Sequence, residues 1–272
     1  MFKFNNKINT LFINWLTISL ILVFCIIIIG GLTRLTNSGL SITEWELFKG
    51  ILPPIGEKAW MNYFESYKNI PQFIILNSDM TLSEFKVIFY WEYFHRILAR
   101  IIGIFFLVPL IYFHFINKIE KKYMNICYFI FALILLQGVV GWYMVKSGLV
   151  NDITVSHYRL SVHLLNALII ISIIFWLILN LKKKTNKIFF DISKRNIPYL
   201  FLILLIFTQV VIGAFVSGLD AGKIYQTWPL MGDNFFPDDI NINNSFNFLD
   251  FENHSLVQFY HRNLAYFITF YI

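Results

Sequence analysis

Apolar residues in this chain are not interleaved with polar ones at the period of a half-buried strand or a surface helix. They come in long unbroken runs, at about residues 11–31, 87–116, 123–145, 154–180, 197–217 and 255–272. Runs of roughly 18 residues or more are long enough for a helix to cross a bilayer. Backbone groups in lipid must also be satisfied within the segment, which selects helix for each run. The pattern predicts an all-α polytopic membrane protein with about six transmembrane helices present. The first run follows Lys3 and Lys7, as in a signal peptide. It is longer than a signal-peptide core, however, and leads into GGLTRLTNSG with no small-x-small cleavage site, so it reads as a retained helix.

Positive charge orients the runs. Lys3 and Lys7 precede the first, Lys118, Lys121 and Lys122 follow the second, and Lys182, Lys183, Lys184, Lys187, Lys194 and Arg195 follow the fourth. If every run crosses, all three groups lie on one side, which is the cytoplasmic or matrix side. The opposite side receives two long segments, 32–86 and 218–254. The first mixes both signs of charge; the second is acidic, with Asp220, Asp233, Asp238, Asp239, Asp250 and Glu252 against Lys223. Long segments of this kind often carry function or cover a site.

The runs repeat. With Gly30 aligned on Gly213, Gly39 falls on Gly222, Trp45 on Trp228 and Pro54 on Pro237 without a gap. After a length difference, WEYFHRILAR (91–100) falls on VQFYHRNLAY (257–266), which places His95 on His261. The expectation is a four-helix unit, duplicated: residues 1–190 form the first half, and 191–272 an incomplete second half with only its first two helices. The sequence stops inside the last apolar run, so the chain reads as lacking two further helices.

Composition agrees with the pattern. Hydrophobic residues make up 57% and charged residues 14%, against about a quarter charged in soluble domains. The net charge of +6 comes from short loops between apolar runs, so it points to membrane orientation, not to nucleic acid. Cys25 and Cys127 lie inside apolar runs with no CxxC, which argues against a disulfide or thiolate ligand. No Walker A loop, GxGxxG or HExxH is present.

Ionisable groups inside the hydrocarbon are costly and mark candidate chemistry. Counted from the outer ends of the apolar runs, His95 and His163 both lie about 12–14 Å into the membrane, and His261 belongs to the same layer of the second copy. Paired histidines at one depth can ligate one heme iron from opposite faces; a lone histidine would instead be read as hydrogen-bonded to a neighbouring helix. His114, His157 and His254 sit at span ends, where solvated or interfacial roles are expected. Glu92 shares a helix face with His95 one turn away, and its repeat counterpart is Gln258. It is either an acid/base or charge-stabilising group beside a cofactor or substrate, or the partner of Arg96 in an i,i+4 ion pair. Arg96 and Arg159 are candidates for binding heme propionates, or for interhelical ion pairs and snorkelling. Gln137 and Gly138, like Gln209 and Gly213, pair a polar residue with a small one, and close helix packing is the default reading.

The motifs GGLTRLTNSGLSITEW, WEYFHR, QGVVGWYMVKSGL, SHYRLSVHL, GAFVSGLDAGKIYQTWPLMGDNFFP and QFYHR together resemble the heme A synthase family over essentially the whole chain. That resemblance implies two four-helix halves and oxidation of a methyl group of heme O to the formyl group of heme A, for cytochrome c oxidase biogenesis. It implies His95 and His163 as the ligand pair of a substrate heme site in the first half, Glu92 as the essential glutamate, and His261 as the first ligand of a heme b cofactor in the second half. It also implies a ferredoxin-type electron donor, heme O synthase as a possible neighbour, and a homo-oligomer in a bacterial or mitochondrial inner membrane. The competing expectations are a non-catalytic b-type membrane cytochrome, a heme-handling assembly factor, or a transporter with a polar core.

Overall fold

The computed structural model describes residues 6–44, 49–149, 153–183, 185, 192–240 and 247–272. Lys3, Trp45, Lys184 and Lys187 lie outside the described residues. The elements are α1 (Asn6–Leu35), α2 (Glu57–Lys68), α3 (Pro71–Leu76), α4 (Leu82–Ile116), α5 (Lys121–Gly148), α6 (His157–Lys183), α7 (Ile197–Gly218) and α8 (His254–Tyr271). The chain is an all-α, multi-pass membrane protein. Among the described residues five helices, α1, α4, α5, α6 and α7, are long and apolar enough to span a bilayer. The sixth expected span is α8. It has 18 residues and carries Gln258, His261, Arg262 and Asn263, so it falls short of the other five by composition.

Local chemistry explains the helix ends. α4 begins five residues before its apolar run because Thr81 and Glu84 form a capping box. The Glu84 N–H donates to the Thr81 hydroxyl, and the Thr81 N–H donates to the Glu84 carboxylate at 2.8 Å. These first residues, with Glu84 and Lys86, belong to the aqueous side, and the membrane level of His95 is still counted from the apolar run. The helix runs through Pro109 and ends at Asn117, whose left-handed backbone (φ 51°) breaks the ladder. Within α1 the hydroxyls of Thr17, Ser19 and Thr33 donate to carbonyls four residues earlier at 2.8–2.9 Å, so these polar groups stay satisfied in lipid.

The chain divides into two compact units, residues 1–155 with 166–189, and residues 156–165 with 190–272. The first unit has two apolar clusters. One joins Phe12, Trp15 and Leu16 of α1 to Ile102, Phe106, Leu110 and Phe113 of α4, Met124, Cys127 and Ile130 of α5, and Ile170, Ile174 and Leu177 of α6. Its aromatic rings meet edge-on or tilted, with Phe12 and Phe113 5.0 Å apart and Trp15 and Phe106 4.7 Å apart. The other cluster seats the outer segment on the top of α4. Trp60, Phe64 and Tyr67, one face of α2, pack against Phe85, Ile88 and Phe89 with Leu40 and Ile42. Between Phe89 and Ile102 the only fully buried α4 side chain is Glu92. The level of Glu92 and His95 therefore lies between the two apolar cores.

In the second unit α7 packs on α8, and the first turn of α6 comes very close to the end of α7. A Cβ on Gly218 would lie 2.5 Å from the Cβ of His157, so glycine is required there. His157 is 5% exposed, with its ring against Tyr158 and Phe215 and its Nε2 3.8 Å from Glu252. This corrects the solvated role expected of it: the close crossing at Gly218 draws the ring into the unit. Of the two cysteines, Cys127 is buried and Cys25 exposed, and both are free.

Candidate functional site

Glu92 is 3% exposed, and both of its carboxylate oxygens are engaged. Oε2 accepts from the Ser41 hydroxyl at 2.7 Å and the Ile42 N–H at 2.9 Å. Oε1 accepts from Arg96 Nε at 3.0 Å and from Arg96 Nη2, and that Nη2 also donates to the Ile42 carbonyl at 3.0 Å. Ion pair and candidate site are thus one object. The carboxylate and guanidinium on consecutive turns of α4 together grip both backbone groups of Ile42. Removing a carboxylate from water demands such a set of donors.

The second unit builds the same clamp with a neutral residue. Extending the repeat from Gly39 and Gly222 places Ile42 on Tyr225. Gln258 Oε1 accepts from the Tyr225 N–H at 3.3 Å, and its Nε2 donates to the Tyr225 carbonyl at 2.9 Å. Arg262 Nη2 donates to the same carbonyl at 2.6 Å and its Nη1 to Thr227 O at 2.7 Å. With no carboxylate partner among the described residues, Arg262 donates to backbone carbonyls. The gripped residue carries its own polar cluster in the outer segment. The Tyr225 hydroxyl lies 2.6 Å from both Asp238 Oδ1 and Asp239 Oδ1, and the Ser255 hydroxyl donates to Asp239 Oδ2 at 2.6 Å. Burial, and then the two carboxylate acceptors, push the Tyr225 hydroxyl pKa up. The Tyr225 hydrogen bond and the Asp233 N–H hold the Asp238 carboxyl below its ordinary value.

The histidines of the repeat are set alike. The Cε1–Nδ1 edge of His95 lies on Gly30 of α1, where a Cβ would be 3.0 Å from Cε1 and 3.4 Å from Nδ1. The same edge of His261 lies on Gly213 of α7, where a Cβ would be 2.9 and 3.5 Å from the corresponding atoms. Both Nδ1 atoms are buried with no hydrogen-bond partner among the described residues. Gln209 donates to the His261 carbonyl at 3.1 Å, with its Nε2 3.4 Å from His261 Nε2. His163 lies in the second turn of α6, in the stretch grouped with the second unit. Arg159 lies in the first turn of that helix and is half-buried. Imidazoles held on apolar helices with one ring nitrogen closed off against glycine fit ligation of heme iron through the other, which at His261 is the nitrogen beside Gln209 Nε2.

Arg96 also lines a cleft of about 180 Å³ with Ile42, Thr43, Trp142, Val145, Lys146 and Leu149. Lys146 sits over the Trp142 ring at 5.0 Å. Two cations at one mouth suit a carboxylate ligand. Sequence reasoning missed Lys146, which reads as a loop charge, and Ser41 with the Ile42 backbone, whose part depends on how the outer segment folds back. The expected packing role of Gln137 takes a polar form: its Oε1 accepts from Asn166 at 2.6 Å. A Cβ built on Gly138 would meet nothing within 4 Å, so helix packing does not require glycine there.

A family model described as cytochrome oxidase assembly protein, COX15-CtaA, matches residues 13–272. The chain belongs to this family. Among its relatives is the heme A synthase of Pelagibacter ubique, 50% identical over 261 residues, an alignment covering 95% of this chain and 76% of that protein. The heme A synthase of Rickettsia felis is 45% identical, covering 93% and 76%. That of Parvibaculum lavamentivorans is 43% identical, covering 93% and 73%. No solved structure matches the chain.

Proposed function

We propose that the chain is a heme A synthase-type oxidoreductase, which oxidises a methyl group of heme O to the formyl group of heme A. The observation that carries this reading is a buried, doubly anchored carboxylate, Glu92, one helical turn from His95. It belongs to a chain that matches the family from residue 13 to residue 272.

In this reading His95 and His163 hold the substrate heme in the half formed by residues 1–190, and His261 contributes to a heme b site in the half formed by 191–272. Heme b, when bound, supplies one-electron redox chemistry. The chain's own residues do the rest. Glu92 stabilises developing positive charge or moves a proton at the reacting methyl group. Arg96, held by Glu92 and the Ile42 carbonyl, and Arg159 anchor propionates from the outer side. The oxidation balances as two hydroxylations, each taking up one dioxygen, two electrons and two protons and releasing one water, with a third water lost as the diol becomes the formyl group; a ferredoxin-type protein supplies those electrons, heme O synthase delivers substrate, and the chain works as a homo-oligomer.

The test is heme chromatography. Expressed in a bacterium that makes heme O but lacks its own heme A synthase, the chain yields heme A in membrane extracts. Extracts holding only heme O and heme B, with heme bound to the purified protein, would make it a b-type cytochrome or a carrier. The Glu92→Gln variant keeps its bound heme and loses heme A formation at least tenfold. An unchanged heme A yield would remove Glu92 from the chemistry.

A further inference from the structure

We infer that Gly30 and Gly213 are positioning residues, each fixing the ring of the histidine opposite it so that Nδ1 is turned into the helix packing and Nε2 is the nitrogen offered to iron. This rests on the reading of His95 and His261 as heme ligands. The geometry occurs twice, at positions related by the internal repeat. In each unit the first apolar helix presents a glycine to the same Cε1–Nδ1 edge of the histidine on its partner helix. A methyl group at Gly30 would stand 3.0 Å from His95 Cε1 and at Gly213 2.9 Å from His261 Cε1, so either the ring or the helix would have to move. Nε2 of His95 lies beyond 4 Å from that point, so there the contact separates the two nitrogens; at His261 they lie at 3.5 and 3.8 Å, and Nε2 faces Gln209 Nε2 at 3.4 Å. The second observation is independent of the first. Nδ1 of both rings is buried with no hydrogen-bond partner among the described residues, whereas a ligating histidine ordinarily has its other nitrogen oriented by an acceptor. Here packing against a glycine does the orienting that a hydrogen bond does elsewhere.

The neighbouring Gly31 is the internal control, because nothing lies within 4 Å of a Cβ built on it. Both are helical glycines one residue apart, so alanine changes helix propensity alike at the two positions.

The experiment compares Gly30→Ala, Gly31→Ala and His95→Ala with the unsubstituted full chain, purified from membranes. The readouts are heme content per chain and the low-spin heme signal in electron paramagnetic resonance. Gly30→Ala is expected to lower low-spin heme severalfold, or convert it to a high-spin form, at unchanged protein yield, with Gly31→Ala matching the parent. If His95→Ala removes a heme and Gly30→Ala leaves content and spin state as in the parent, the positioning role is wrong and the ligand assignment stands. If His95→Ala leaves the spectrum unchanged, the ligand reading fails first and this inference with it. Should Gly30→Ala not accumulate, Gly30→Ala combined with His95→Gly, supplied with free imidazole, takes its place. An untethered ring can shift away from the methyl group, so heme content equal to that of His95→Gly with imidazole supports the inference, and loss of heme overturns it.

Discussion

Glu92 and Arg96 form a buried ion pair whose partners are 3% and 12% exposed. Truncating one member of such a pair leaves the other charged and buried, at a cost of about 3–5 kcal/mol. Arg96→Leu should therefore lower the thermal midpoint of the detergent-solubilised protein sharply, while Arg262→Leu, which abandons only backbone carbonyls, should lower it less. Equal effects would mean that the Glu92 carboxylate adds nothing to the clamp. At this scale the sequence was half legible. The four-residue spacing makes the pair visible, and the repeat makes Gln258 visible as its neutral twin. Ser41 and the Ile42 amide were not legible, because an acceptor-to-backbone contact across the fold leaves no mark in residue type. The glycines opposite His95 and His261 were present in the repeat alignment, but only the packing of α1 on α4 and of α7 on α8 gives them a task.

Among the elements, the membrane helices follow from run length and hydropathy, and the outer segments follow less directly. The periodic Trp60, Phe64 and Tyr67 of α2 lie in a stretch too polar overall to resemble a span, so the helix emerges from its one apolar face and the top of α4 that it covers. α8 shows the converse: its site residues dilute the very hydropathy by which spans are recognised. The segment before α8 should be sensitive to pH through Tyr225 and Asp238. The Asp238 carboxyl is held below its ordinary value, so its contribution is present above the unfolded value of about 3.9 and is lost as pH falls through the folded one. The Tyr225 hydroxyl is raised, so its contribution is complete below the unfolded value of about 10 and is lost as pH rises through the folded one. Protection of the amides of residues 225–240, taken relative to the intrinsic exchange rate at each pH, should therefore be greatest between about pH 5 and pH 9. Tyr225→Phe should flatten that dependence at both ends; an unchanged profile would show that the cluster does not hold the segment.

For the molecule as a whole, the positive charges at 118–122 and 182–195 predict that those stretches face the cytoplasm or matrix and the segments 32–86 and 218–254 the opposite side. Fluorescent-protein fusions after Asn117 should light up, and those after Leu149 should stay dark while periplasmic reporters at that point are active; the reverse pattern would invert the topology. The helical, multi-pass architecture was legible in the sequence because lipid permits few alternatives for long apolar runs. The division into compact units was less so, since the first ten residues around the start of α6 group with the second unit through contacts such as His157 with Gly218. The central proposal is that His95 and His163 are ligands of the same heme. It is tested most directly by the visible spectrum and pyridine hemochrome of purified His95→Ala, His163→Ala and His114→Ala chains. The account predicts that the first two lose the same heme component and that His114→Ala, altered at the cytoplasmic end of α4, retains it. Loss from only one of the two, or retention in both, would contradict it.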